Sequence, residues 1–389
     1  MVEVSPAQVA NGSSHRGASP SIDVLDGAEA MRAWMDFAET AQLTPYQAPF
    51  WLGGVMACFD MPRESFRLLM IHDAGTPRAA LPLVLSRRSG CVLAEIPGSQ
   101  LGNSDWFPQQ AGPALDGELL DRAFAILARA QGVDILRFSN LPAAWQGRDN
   151  PLLGYPVAPA PDHFYVGPIG PHTRDSLPKR RRGDILRGQR RLEEMTGPVT
   201  LRRASTPAEV EAMHAAFLQQ RTVRFREMGV RNIFAETPFR RLFDDLAKTS
   251  LAMDRPTLCF DALYGGDEIL ATAIGIRAGS HYSQYINSNA SGPAAKYNLM
   301  GLLMYLLVER LVAEGVESLD MGVGDFAYKE IWTQKTAVYD LMLPLSLKGK
   351  LFAPAFGAKR AAKRLIKRNQ QLWQVARSFR QLRQPKTES

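Results

Sequence analysis

An α/β fold made of two tandem units, each a mixed sheet flanked by helices, is what this 389-residue sequence predicts. Two internal echoes carry it. Ala130–Phe138 (AQGVDILRF) lines up with Ala313–Met321 (AEGVESLDM), each passing from a helical pattern through a glycine into a strand. Leu69–Leu85 likewise has the hairpin pattern of Phe260–Ile276. Length agrees: at about 100 to 200 residues per domain, a chain with 46% hydrophobic residues has core enough for two. The expected segments are a disordered lead-in over 1–21, a first unit over 22–158, a second over 159–346 and a basic tail over 347–389.

Residues 1–20 mix Ser, Gly, Pro and Ala without periodicity, so order is expected from about Ile22. Ala28–Gln42 carries Met31, Trp34, Met35 and Phe37 at helical spacing, and Pro45–Trp51 turns into a second short helix. Phe66–His72, Ala79–Ser86 and Cys91–Ile96 read as strands, Glu118–Gln131 as an amphipathic helix and Val133–Ser139 as the strand after Gly132. Pro151–Pro171, rich in Pro and Gly, is the expected crossing between units. Leu177–Glu194 is a basic helix with Ile185, Leu186 and Leu192 turned inward. Its arginines are either solvated or face anionic groups, which guanidinium matches bidentately.

Helices over Pro207–Met228 and Pro238–Thr249 precede strands over Thr257–Leu263, Glu268–Arg277 and Tyr282–Ser288. The small-residue loop Ser288–Tyr297 leads to Asn298–Gly315, apolar on nearly every side and so a buried helix, capped by Asn298 and ended by Gly315. Free amides at such a helix start attract phosphate. Val316, Leu319 and Met321 then mark a strand that Gly322 and Gly324 break, setting Asp325, Tyr328 and Lys329 just beyond its carboxyl end, where side chains commonly line pockets. Asp325 suits a general base, Tyr328 an acid and Lys329 a charge stabiliser or carboxylate binder. The alternative is that Asp325 caps a following helical turn and Lys329 pairs with it on the surface. His281 and Glu330 are lesser candidates for the base, and His72 and His163 read as structural.

The helix, the Gly-Val turn, the strand and the run Asp320, Gly324, Asp325, Tyr328, Lys329 together resemble the GNAT acyltransferases of the cellulose-biosynthesis (CelD-like) type. The resemblance covers residues 160–345 well and 22–150 more weakly. It implies acyl-CoA as co-substrate, with pyrophosphate at Lys296, Tyr297, Asn298, Leu299, Met300 and Gly301, where the general phosphate motif is met only as Lys296-x-x-Leu299-x-Gly301. Ile274 and Ile276 would flank the pantetheine arm, and Tyr285, Asn287 and Asp320 the substrate. The implied reaction is N- or O-acyl transfer to an envelope glycan, its precursor or a small amine. A Fem-type aminoacyl transferase using aminoacyl-tRNA shares the double fold and is the alternative. A third reading keeps the fold as an interaction module without activity. The first unit has Asn140-Leu-Pro-Ala-Ala144 where the second has its Asp-x-x-Tyr-Lys end, so chemistry is expected in the second.

Cys58, Cys91 and Cys259 are widely spaced without a Cys-x-x-Cys pair, so buried thiols in a reducing compartment are expected, and neither a disulfide framework nor a metal site. No basic leader with an apolar core opens the chain, and a cytoplasmic protein is expected. From Lys348 onward twelve Lys or Arg stand against one Glu, +11, so residues 1–347 hold −4 of the net +7. A DNA-binding body is therefore not expected. Within 352–384, Ala358, Leu365, Leu372 and Phe379 recur every seven residues, with Ala362, Ile366, Trp373 and Ala376 beside them. That pattern fits a helix lying in the anionic inner face of the cell membrane, with a helix packed on the body or a short coiled coil as alternatives.

Overall fold

A computed structural model describes residues 20–368. The lead-in before residue 20 and the tail beyond 368, with Leu372, Trp373, Ala376 and Phe379, lie outside the described residues.

The chain runs β1 (Ser21–Asp26), α1 (Gly27–Ala38), α2 (Pro49–Cys58), β2 (Phe66–Asp73), β3 (Thr76–Arg88), β4 (Cys91–Glu95), α3 (Gly117–Gln131) and β5 (Ile135–Pro142). A small hairpin, β6 (Ala144–Trp145) and β7 (Arg148–Asp149), precedes β8 (Val157–Pro159) and β9 (Phe164–Pro168). Then come α4 (Lys179–Thr196), β10 (Val199–Arg203), α5 (Pro207–Glu227), α6 (Thr237–Ser250), β11 (Leu258–Gly265), β12 (Glu268–Ala278) and β13 (His281–Asn289). The chain closes with α7 (Leu299–Ala313), β14 (Ser318–Val323), β15 (Gln334–Thr336), β16 (Val338–Pro344) and α8 (Leu347–Arg368).

Two seven-stranded mixed sheets result, ordered β1-β2-β3-β4-β5-β16-β8 and β10-β11-β12-β13-β14-β9-β15. This is the expected tandem architecture, and the register of its internal echo is literal. Among the described strands each sheet has one parallel pair: Leu93, Ala94 and Glu95 face Ile135, Leu136 and Arg137, while His281, Tyr282 and Ser283 face Ser318, Leu319 and Asp320. The helix before each second strand ends at a left-handed glycine, Gly132 (φ 63°) or Gly315 (φ 74°), a backbone shape that favours a residue without Cβ.

The closing strands depart from the sequence reading. The Pro- and Gly-rich crossing holds β8 and β9, and β16, inside the stretch expected for the second unit, returns to pair with β5 and β8 of the first sheet. Proline sits at the ends of β8, β9 and β16, where a missing N–H costs the sheet little.

One apolar core runs through both units, joining Trp34, Trp51 and Phe66 to Phe217, Phe243, Ile274 and Ile286. At the seam α2 packs on α6 so closely that a Cβ on Gly54 would stand 2.6 Å from Leu246. A second core lies on the other face of the second sheet, where α7 is sandwiched between the sheet and Ile185 and Leu192 of α4. That covering helix explains why α7 is apolar all round, whereas α3 buries one stripe only: Leu120, Ala123, Phe124 and Leu127. Cys58, Cys91 and Cys259 are all buried free thiols.

Candidate active site

Past Ser283 and Asp320 the strands β13 and β14 separate. Two glycines with positive φ, Gly322 (66°) and Gly324 (108°), turn the chain out of β14. Lys329 then fastens the turn from inside: it is 4% exposed, and its Nζ donates to Val323 O at 2.9 Å and Gly322 O at 3.4 Å. Burial pushes its pKa down to about 8, against the opposing pull of Asp320. Neither a surface position nor an ion pair with Asp325 is found for it.

Fastened in this way, the turn presents Phe326 and Tyr328 to a cleft of about 530 Å³ lined by α5, the end of β13 and the loop in front of α7. The Tyr328 hydroxyl accepts a hydrogen bond from Asn287 Nδ2 at 3.2 Å, and burial raises its pKa, so it is a proton donor at neutral pH. The facing wall is α5. Gln220 ties that helix to the sheet by donating to Ile269 O (3.0 Å) and accepting from Ser288 Oγ (2.6 Å), which fixes the next residue, Arg221. The Arg221 guanidinium stands 5.2 Å from the Phe225 ring and 5.7 Å from the Phe234 ring, with burial pushing its pKa down to about 10. Arg224 also lines the cleft and pairs with Glu227 at 3.3 Å. Ser291, Gly292 and Ala295 close the far end.

Asp325 points elsewhere. It accepts from the Tyr165 hydroxyl (3.0 Å), meets His163 Nδ1 (3.0 Å) and lies 3.4 Å from Lys335 Nζ. Partial burial works against its ionised form, but Tyr165, His163 and Lys335 outweigh it and hold the carboxyl below its ordinary range. Glu330 receives a longer bond from Tyr165, at 3.4 Å. Asp320 is fully enclosed and accepts from Ser283 Oγ (2.8 Å) and Gly322 N (2.8 Å), with His281 Nε2 at 2.8 Å. His281 is itself buried, so both belong to the frame. From Ser283 the chain of bonds crosses into the first unit, through the Tyr46 hydroxyl (2.5 Å) to Asn103 Nδ2 (2.5 Å). Asn103 also accepts from Val323 N at 3.4 Å, and Tyr285 donates to Leu101 O at 2.7 Å. The opening between β13 and β14 is thus filled from the first unit.

Of the residues proposed from sequence, the structure brings Tyr328 and Asn287 together in the cleft. Ile274 and Ile276 are wholly buried in the shared core, so only their backbone could meet a ligand. Tyr285 is committed to the seam between units. Lys296 and Asn298 are exposed, Tyr297 packs against Gly188 of α4, and Leu299 and Met300 turn toward the second core. The Asn298 side chain accepts from Gly301 N at 3.2 Å, so one amide at the start of α7 is already taken. Arg221 escaped the sequence reading, although it had a signal: an arginine midway between Phe217 and Phe225 at four-residue spacing, on the buried stripe of a helix.

Residues 179–330 match the acetyltransferase (GNAT) domain family. The GNAT match thus takes in α4, the cleft and the turn bearing Tyr328. No curated protein matches the chain. Among solved structures, FemX shares the fold with a TM-score of 0.56 at 11% identity, covering 85% of this chain and 98% of that one. L-PGS from Bacillus licheniformis gives 0.50 at 12% identity, covering 88% and 99%. A conserved protein of unknown function from Bacteroides thetaiotaomicron gives 0.53 at 10%, covering 84% and 100%. Such identities speak for the fold alone. Among the described residues no cluster of His, Cys, Asp or Glu could hold a metal ion, and no helix is long and apolar enough to cross a membrane.

Proposed function

We propose that the second unit transfers an acyl group at this cleft, taking acyl-CoA as donor and an amine or hydroxyl on an envelope glycan, its precursor or a small amine as acceptor. Tyr328 carries the reading: a phenol, protonated at neutral pH and raised further by burial, oriented by Asn287 in a cleft that ends on the loop before α7. As the acceptor adds to the thioester carbonyl, its proton passes to water in the cleft, because His163 and Asp325 are not among the residues that line it. When the C–S bond breaks, Tyr328 gives its proton to the departing sulfur and recovers one from water. Ser291 and Gly292, facing Arg224, fit the anionic end of the donor.

One observation favours a second reading, aminoacyl transfer from tRNA. Asn103 and Leu101 fill the space between β13 and β14 in which, by resemblance to GNAT enzymes, the pantetheine arm would lie. Titration calorimetry with CoA, acetyl-CoA and an aminoacyl-tRNA separates the two. Binding of CoA or acetyl-CoA supports the first reading. If neither binds at millimolar concentration while the charged tRNA does, the donor is tRNA, and if nothing binds, both readings fall.

A further inference from the structure

Arg221 is poorly explained as a part of the fold. Among the described residues it forms no ion pair, and its Nε is buried without a hydrogen-bond partner. Arg221 is half-buried, and a cation partly removed from water without an ion-pair partner is costly, whereas structural arginines so placed are normally paired. The Asp261 cluster of this same unit shows the usual solution: Arg203 and Arg310 converge on one enclosed carboxylate at 3.0 and 2.9 Å. Arg221 has instead two aromatic rings beside it, which restrict its planar guanidinium at the wall of the cleft. Tyr328 lines the same cleft, so an anion held there is close to the reacting atoms. The distal phosphates of a nucleotide donor have the loop before α7 to meet instead.

We infer that the cleft selects a substrate bearing a carboxylate within a few bonds of the reacting centre, held bidentately by Arg221. This rests on the cleft being the active site. The carboxylate belongs either to the acyl group, as in a dicarboxylic monoacyl donor, or to the acceptor, as in an amino acid.

The test uses the full-length protein, with succinate against succinamide as probes in calorimetry and thermal melts. Wild type is expected to bind succinate and not succinamide. Arg221→Met is expected to weaken succinate by about tenfold or more, the usual scale for a lost charged hydrogen bond, and Arg221→Lys to recover part of it. Without ligand, Arg221→Met should melt no lower than wild type, because it removes a cation that has no ion-pair partner among the described residues and keeps an apolar side chain against Phe225 and Phe234. Succinyl-CoA against acetyl-CoA, and glycine against glycinamide, tell which substrate carries the group. Equal binding of succinate and succinamide, unchanged succinate binding in Arg221→Met, or binding of inorganic pyrophosphate alone overturns the inference. If CoA species fail to bind while the preference for succinate persists, the donor reading falls and this site stands. The reverse pattern removes the site and leaves the donor reading.

Discussion

Across the last parallel pair of the first unit, Glu95 faces Arg137 in an ion pair, with Glu95 buried; at the same register of the second, Ser283 faces Asp320 at 2.8 Å. Beyond these pairs both sheets open, and one segment of the first unit serves both openings. Asp105 accepts from Ser139 N (2.7 Å) in the first, and Asn103 from Val323 N (3.4 Å) in the second. The first opening is then covered by α8, leaving a groove of about 1050 Å³ in whose wall Arg360 is bonded to Asp340 and Lys363 to Asp162. The second keeps an open cleft, with the Tyr328 phenol and the Arg221 guanidinium, which forms no ion pair among the described residues. A duplicated unit can thus keep its backbone register while its third pair and its covering helix determine whether the opening is frame or site.

The sharpest break in this comparison is Tyr328→Phe. It should leave the fold intact and lower kcat by about 10²- to 10⁴-fold, the usual worth of a general acid, with little change in KM. The first-unit substitution Ser139→Ala, at a position lining the α8 groove, should not change kcat. If Tyr328→Phe is fully active, the phenol is not the general acid, and the sulfur is protonated from another source.

How far these features could be read from the sequence follows from which forces set them. The echo between Ala130–Phe138 and Ala313–Met321 was legible because period, glycine and register are local. The strands β8, β9 and β16 were not, since each is short, ends in proline and is stabilised by partners far away in the chain, such as β5 for Val338–Pro344. The apolar and aromatic content of Val338–Leu343 was its one local trace. Lys329 read as a charge stabiliser or carboxylate binder, or else as a surface partner of Asp325, and only the fold-back at Gly322 and Gly324 shows that it points inward onto backbone carbonyls. The pairing of Asp325 with His163 spans 162 residues, and nothing local announces it.

A second contrast is electrostatic, with opposite signs in the two units. Burial raises the Asp105 pKa to about 7, so relative to an unfolded value near 4 its contribution to stability is full at pH 4 and is lost as pH rises toward 7. Burial lowers Lys329 to about 8 from near 10.5, so the folded state binds fewer protons between those values and stability rises with pH across that window. Urea unfolding at pH 4, 7, 8 and 10 should therefore show Asp105→Asn gaining on wild type from pH 4 to 7, by on the order of 4 kcal/mol. Lys329→Met should lose its advantage over wild type from pH 8 to 10, by on the order of 3 kcal/mol. Parallel pH profiles for a variant and wild type would show that the group does not titrate there.

The smallest expected effect concerns α8, where the described half of the tail has two faces. One is docked: Phe352 and Phe356 pack against Leu93, Ile135 and Met342, Arg360 bonds to Asp340 (2.6 Å), and Lys363 bonds to Asp162 (2.9 Å), with Lys367 on the same carboxylate. Those cations are spent on the first unit and are not free for a lipid surface. The other face is outward, with Leu351, Ala358 and Leu365 at seven-residue spacing, Leu351 75% and Leu365 64% exposed, and Lys359 exposed nearby. We propose that this outward stripe meets an anionic membrane surface, where each nearby Lys or Arg contributes about 1 kcal/mol and added salt weakens the attraction. In vesicle sedimentation, Leu351→Glu with Leu365→Glu should reduce binding to anionic vesicles, while Arg360→Ala, on the docked face, should loosen the helix before it weakens membrane binding. Equal binding of the full chain to neutral and anionic vesicles, or no loss in the double leucine variant, would leave α8 as a brace for the first sheet alone.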